Sequence, residues 1–345
     1  MSGQERAVEA LERAAYLLER ALSPTAKVKA FRRAAEVVSG LGPGELERLA
    51  AAGRVTELAG VGPSTGGVVD DAVAGRPSAY LDRLEEETAV PIGEGGALRD
   101  ALLGDCHLHS TWSDGGASIT EMAEAAQALG HEWLVLSDHS PRMSVARGLT
   151  PERMVAQHAE IAEVNEAMAP FRVLRGMEVD INEDGSLDFP DELLAQLDVV
   201  VASPHIKLGM ERPAMTRRLV LAVANPNVDV LGHCTGRKVG WGGSRPRPPA
   251  SFDAEVVFAA CQRFGVAVEV NCRPERQDPP DELLALALEW GCDLAVDTDA
   301  HAPGQLEWQA YGCDRLARLG IGPERVLNAR NAEDVLAHLA QRSSG

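Results

Sequence analysis

An α/β fold, with buried parallel strands alternating with helices behind a small all-α N-terminal region, is predicted by three features of the 345-residue sequence. Seven short apolar runs fill the last two-thirds of the chain, each too short for a typical helix. Amphipathic stretches of helical length lie between them, the alternation that accompanies a parallel sheet. Nearly every run ends in a polar residue able to hold a metal, always on its C-terminal side. If the strands close into a parallel barrel, those caps meet at one rim, where such barrels carry their chemistry.

The first stretch, ERAVEALERAAYLLERAL (5–22), has apolar residues at helical spacing with charges on the other face, so it reads as an amphipathic helix. Ser23 and Pro24 punctuate, with Ser23 placed to cap a second helix over 24–39. From Arg20 to Arg54 seven basic residues stand against three acidic ones. A solvated helix face and a nucleic-acid patch both remain open for this cluster. In LAGVGPSTGGVVDDAVAG (58–75), Gly60 and Gly62 allow a tight hairpin between two helices, and the amides opening the second would point at a phosphate. Gly60 and Gly62, with Lys27 and Arg32 from the basic cluster, are the candidate contacts to a phosphate backbone. DRLEEE (82–87) and then PIGEGG (91–96) mark a boundary, giving a helical domain over 1–90, a linker over 91–101 and a barrel over 102–345.

The expected strands are LLGDCHLH (102–109), WLVLSDH (133–139), RVLRGMEVD (172–180), LDVVVASPH (197–205), VDVLGH (228–233), VAVEVN (266–271) and LAVDTDAH (294–301). Helices fall between them at 118–129, 151–168, 190–196, 213–224, 252–264, 281–289 and 306–319, several with Pro near the first turn. A last helix within 323–341 closes the chain. Six of the nine histidines, His107, His109, His139, His205, His233 and His301, sit at strand ends, with Asp114, Glu178 and Asp299 beside them. His131, His158 and His338 lie in helices or loops and read as solvated or core residues.

The net charge of −19 argues against wholesale nonspecific binding to nucleic acid or membranes, while leaving room for local basic patches. The N-terminus opens on an acidic, Ala-rich helix and no apolar run reaches membrane-spanning length, so a cytoplasmic protein is expected. Six cysteines without close spacing read as free, buried thiols. Strand alternation turns Cys106 and Cys234 away from His107 and His233, which leaves them out of any ligand set.

Two resemblances follow from these motifs. The Gly60–Gly62 hairpin, taken with residues 11–85, resembles the helix-hairpin-helix element in the small N-terminal domain of family X DNA polymerases, which implies that the backbone contacted is that of DNA. Where lyase members of that family carry Schiff-base lysines this chain has Ser64 and Val68, so lyase chemistry is not expected. No carboxylate cluster of a polymerase palm is present either. From 102 to 330, HLHS with Asp114, SDH, GMEVD, SPH, GH and DTDAH resemble, in order and spacing, the PHP (polymerase and histidinol phosphatase) family.

That resemblance implies a distorted seven-stranded (β/α)7 barrel with two or three divalent ions at the C-terminal strand ends. His107, His109, Glu178 and Asp299 would hold one ion, and Glu178 would bridge to a second held by His205 and His233. A third would take Asp114, His139 and His301, with Asp114 standing where some members have His. His107, His109, Glu178, Asp299 and His301 form the expected catalytic set. Mixed imidazole and carboxylate donors suit manganese, zinc or iron. Asp138 and Asp180 are expected to orient ligands, and Glu269 and Asn271 either to do the same or to cap a strand.

Adjacent divalent ions lower the pKa of a bound water, so that hydroxide can attack at neutral pH, and phosphate esters have oxygens enough to engage several cations. Arg142, Lys207, Arg237 and Arg273 are the expected contacts to the substrate phosphate, from a wider rim set with Arg147, Lys238, Arg245, Arg247 and Arg276. Trp241 in the long loop 235–251 could stack on a ring or simply pack. The expected function is a metal-dependent phosphoesterase acting on DNA ends, as a 3′–5′ exonuclease or 3′-phosphatase in DNA repair. A small-molecule phosphatase of the histidinol-phosphatase type is the alternative, and a non-catalytic DNA-binding protein with a structural metal site is another. A phosphate ester is the expected substrate, DNA a partner through the hairpin; no membrane and no protein partner is named.

Overall fold

The computed structural model describes residues 1–241 and 245–342, in two compact units, the first Met1–Ala89 and the second beginning at Val90. Helices α1 (Gly3–Arg20), α2 (Thr25–Ser39), α3 (Glu45–Ala51), α4 (Pro63–Val73) and α5 (Ala79–Thr88) build the first unit. A capping box between Ser2 and Glu5 starts α1, satisfying amides that the helix cannot. Ala7, Leu11, Ala14 and Leu18, three or four apart, are fully buried, and α1 packs on α2, α4 and α5. Each buried leucine is worth roughly 1.5–3 kcal/mol over exposure. Ser23 does not cap α2. Pro24 takes that position without a side-chain bond, and the Ser23 amide donates to Leu18 O.

The hairpin runs from α3 through a short turn at Val55–Glu57 to α4, and Gly60 within it has φ +101°, a value that strains any residue with a Cβ. Pro63 opens α4, where its missing N–H costs nothing. The expected linker 91–101 is instead a 3-10 turn, Gly93–Gly95, and a helix, α6 (Gly96–Ala101), inside the second unit. The Glu94 amide there donates to Asp314 Oδ1 at 2.8 Å.

The second unit is a parallel barrel. Its strands are β1 (Gly104–Leu108), β2 (Trp133–Leu136), β3 (Arg172–Asp180), β4 (Val199–Ser203), β5 (Val230–Leu231), β6 (Ala267–Asn271) and β7 (Leu294–Asp297). Interleaved with them are α7 (Ile119–Ala128), α8 (Pro151–Met168), α9 (Asp191–Leu194), α10 (Arg212–Val223), α11 (Ala254–Phe264) and α12 (Asp281–Glu289). After β7 come α13 (Gln309–Arg318) and α14 (Ala332–Arg342). The strands pair in sequential order and all in parallel. The expected helix 306–319 divides into a 3-10 turn, Pro303–Trp308, and α13.

Cys106, Trp133, Val135, Leu174, Val199, Val201, Val230, Ala267 and Ala295 form one core, joined by Val335 and Leu339 of α14. Strand alternation therefore turns Cys106 into the core and its neighbours His107 and Asp105 the other way. All six cysteines are free and buried.

Closure between β1 and β7 is where the barrel is distorted. Among the described residues only an isolated bridge, Leu108 to Ala300, joins β1 to the segment that follows β7, and β1 is irregular between Asp105 and Leu108. Side chains take over the missing ladder: Asp297 accepts from the Cys106 amide at 2.8 Å, and Asp105 accepts from the Thr298 hydroxyl at 2.6 Å. Burial and then the nearby Asp297 charge push the Asp105 carboxyl up to about 8.

A candidate metal centre at the C-terminal rim

The chemistry-bearing side chains emerge where each strand ends. His107 and His109, two apart at the end of β1, point the same way. The turn that follows returns Asp114 over the rim, and Gly115 lies so close to His109 O that a Cβ would stand 2.6 Å from it. Asp138 fixes this turn by accepting from Ser110 N at 2.9 Å, Ser110 Oγ at 2.7 Å and Ser113 N at 3.1 Å. It thus orients the loop bearing Asp114 and bonds to none of the imidazoles directly. His139 follows β2, Glu178 lies on β3, and His205 and His233 follow β4 and β5. Asp299 and His301 follow β7, with Asp299 at φ +52°, a conformation a non-glycine residue holds only where its surroundings enforce it.

Glu178 stands at the centre, 1% exposed. Its Oε1 lies 2.8 Å from His233 Nε2 and 3.1 Å from His205 Nε2. Its Oε2 lies 2.9 Å from His139 Nδ1, 3.3 Å from His107 Nε2 and 3.6 Å from His109 Nε2. On the far side, Asp299 Oδ1 is 3.5 Å from His109 Nε2, and Asp114 Oδ1 is 3.5 Å from His139 Nε2 and 3.4 Å from His301 Nε2.

Three of the rings have their other nitrogen held. His107 Nδ1 is 2.5 Å from Glu269 Oε1, His205 Nδ1 is 3.1 Å from Asp180 Oδ1, and His301 Nδ1 is 2.9 Å from Asp299 O. Glu269 and Asp180 therefore act as the orienting carboxylates, and Glu269 also accepts from the His233 amide. The Nε2 atoms of His107, His109 and His205 are buried with no hydrogen-bond partner. Buried polar atoms left so cost about 1–3 kcal/mol each, and imidazole lone pairs directed at shared carboxylates are what a divalent cation requires. The donor set fits metal ions.

Electrostatics divide the rings: against the effect of burial, the Glu178 charge raises His107, and with Asp180 lifts His205 to about 9, so these two must shed a proton on taking a cation. Burial, with the His301 and His139 charges beside it, holds His109 down near 3, and burial with Arg276 does the same to His233. Both are therefore neutral donors. Burial opposes ionisation of Glu178, yet the surrounding His205, His107 and His139 outweigh it and keep the carboxyl well below its usual range. Asp299 is likewise held low against burial, first by Arg273 and Arg276.

All nine residues expected as ligands come together. Their donor atoms form four overlapping groups: His109, Asp114, His139 and His301; His107, His109 and Asp299; His107, Glu178 and His233; His139, Glu178 and His205. The division differs from the expected one, because His205 and His233 fall into separate groups and His109 belongs to two. No cysteine joins any of them.

The expected phosphate contacts are mostly elsewhere. A cavity of about 180 Å³ above the cluster is lined by Asp114, His139, Met143, Glu178, His205, Lys238, Arg273, Glu275, Arg276, Asp299 and His301. Only Arg273 of the four candidates borders it. Arg142 is engaged by Asp180, Asn182 and Glu183, and Arg237 by the carbonyls of Arg276 and Gln277. Lys207 is exposed and outside the lining. Lys238 and Arg276, set aside in favour of those residues, supply the other two cations. Their signal in the sequence was their position after β5 and β6, shared with many neighbours.

In the first unit the basic cluster is largely neutralised. Arg32 is held by Glu19 at 2.6 Å, Arg33 by Glu36 at 3.5 Å and Arg54 by Glu57 at 2.7 Å, while Lys27 lies over the Tyr80 ring. The Gly62 amide, expected to face a phosphate, donates instead to Thr65 Oγ1 at 2.8 Å. Trp241 meets Tyr311 edge-on with ring centroids 6.4 Å apart, the packing alternative. No helix among the described residues is long and apolar enough to cross a membrane.

Comparison with known proteins follows the same lines. Residues 105–287 match the PHP domain. The chain is 39% identical over 238 residues to the DNA polymerase/3′-5′ exonuclease PolX of Bacillus subtilis, a match covering 69% of this chain and 41% of that protein. It thus spans well under half the length of that relative. It is 28% identical over 239 residues to a probable phosphatase of Thermoanaerobacter sp., covering 66% of this chain and 90% of the relative. Among solved structures, histidinol phosphate phosphatase from Lactococcus lactis, complexed with zinc, L-histidinol and phosphate, matches with a TM-score of 0.44 and 18% identity over 64% of this chain and 94% of that one.

Proposed function

The chain belongs to the PHP domain family, and on that premise we propose that this metal-dependent phosphoesterase acts on the ends of DNA, removing nucleotides or a terminal phosphate. One observation carries the reading: nine residues with metal-binding donor atoms gather in overlapping groups, five imidazoles among them facing the buried Glu178, beneath a cavity that three cationic side chains border. The 39% identity to a protein with 3′-5′ exonuclease in its name supports DNA as the substrate.

Divalent ions, whether manganese, zinc or iron, would supply a nucleophile at neutral pH and offset the charge on the displaced oxygen. His107, His109, Glu178 and Asp299 would hold them with His139, His205, His233, His301 and Asp114, and Glu178, facing imidazoles with both oxygens, is the residue placed to serve two ions. Glu269 and Asp180 orient the His107 and His205 rings so that each presents a lone pair. Arg273, Lys238 and Arg276 face the cavity and would take the ester's phosphate oxygens. Arg273 Nη1 also donates to the Asp299 backbone carbonyl at 2.9 Å and lies 3.4 Å from its carboxylate Oδ1, so one guanidinium serves both the anion contact and a candidate metal carboxylate.

A second reading, a small-molecule phosphatase, is favoured by the paired cations of the N-terminal unit and by the small cavity. The two separate in one experiment. With manganese present, the purified protein is offered end-labelled single-stranded DNA, a duplex with a 3′-phosphate, and histidinol phosphate. Nucleotide or phosphate release from DNA supports the first reading, release from histidinol phosphate alone supports the second, and turnover of none of them refutes both.

A further inference from the structure

We infer that Arg142 is a positioning residue for the cation site of Glu178, His139 and His205, and not a contact to the substrate; this rests on the reading that the rim binds metal. Asp180 is fully buried, and its Oδ1 receives His205 N at 3.2 Å and faces His205 Nδ1 at 3.1 Å. With that ring nitrogen donating to Asp180, the lone pair sits on His205 Nε2, 3.1 Å from Glu178 Oε1. The geometry therefore depends on where the Asp180 carboxylate is held.

Arg142 holds it. Its Nε is 3.2 Å from Asp180 Oδ2, Nη1 bonds to Asn182 Oδ1, and Nη2 is 3.0 Å from Glu183 Oε2. Its backbone amide donates to Asp188 Oδ2 at 2.8 Å, and Asp188 Oδ1 receives the Asp180 amide at 2.9 Å. All three guanidinium nitrogens and the amide thus tie the loop after β2 to the segment after β3, and none faces the cavity. Arg218, the other buried cation nearby, bonds to the carbonyls of Ile181 and Ile206 and cannot take this place. Without the guanidinium, a buried carboxylate loses its countercharge and its reason to stay beside His205.

Equilibrium dialysis of the full chain against manganese(II), counting ions per chain, tests this. Arg142→Gln weakens one bound ion by roughly 10–100-fold, the usual effect of removing an outer-shell partner, and leaves the others at wild-type affinity. Arg142→Lys, which restores charge without the fork, gives a smaller loss of the same ion and stands in if the Gln variant does not fold. If both variants bind every ion as wild type does, or lose only affinity for inorganic phosphate, the inference is wrong. A wild-type protein that binds no ion removes the premise itself, an outcome separate from the other two.

Discussion

Glu269→Gln isolates the orienting role of one carboxylate without changing its size. Three donors converge on its two oxygens: His107 Nδ1 on Oε1 at 2.5 Å, and on Oε2 the His233 amide and Asn271 Nδ2, the last at 3.2 Å. An amide offers one acceptor and one donor, so one side must now meet a like group. Placing the NH2 against the His233 amide would leave a buried backbone N–H unsatisfied, at a cost of about 1–3 kcal/mol. The favoured orientation therefore places the NH2 against His107 Nδ1, which must then accept, moving the ring proton to Nε2 and away from metal-binding form. The expected result is a loss of about 10–100-fold in affinity for one ion, or about 1.4–2.7 kcal/mol. Isothermal titration with manganese(II) reads it directly, with the metal-free unfolding midpoint as a check on folding. An affinity within twofold of wild type would refute the assignment of Glu269 as the group that orients His107.

Three other outcomes follow from the structure. Burial, with Arg99 nearby, depresses His131 to about 3, and its Nε2 lies 2.9 Å from Gln309 Oε1. The unfolded chain binds this proton near pH 6.5 and the folded one does not, so stability is intact above that pH and falls by about 1.4 kcal/mol per unit between pH 6 and 4. His131→Gln should make the dependence shallower by that amount in urea titrations; equal slopes would mean the ring is protonated when folded. Leu11→Ala removes a fully buried side chain from α1 and should destabilise the first unit by about 2–5 kcal/mol, read as an earlier unfolding transition. Lys238→Gln removes a cavity cation that holds no ligand, and should raise KM for a phosphate ester at least several-fold while the count of bound manganese ions stays unchanged.

Much of the site could be read from the chain because of one geometric rule. Parallel strands present all their C-terminal ends on the same side, so polar residues capping successive apolar runs had to meet. Period two then set His107 and His109 on one side and Cys106 on the other, and the structure agrees. The linker at 91–101 was misjudged because Gly and Pro signal a turn without saying whether it packs.

The sequence by itself determined which residues could donate to metal and that they would gather at one rim, since both follow from strand period and chain direction. Only the tertiary structure decided which donor atoms lie close enough together to hold an ion, and which cations face the cavity. Arg142 and Arg237, plausible phosphate contacts by position, turn to carboxylates and carbonyls on other loops, and Arg32 meets Glu19 from a neighbouring helix. A long flexible side chain goes to whichever partner the fold brings within reach, and that distance through space is not written in the spacing along the chain.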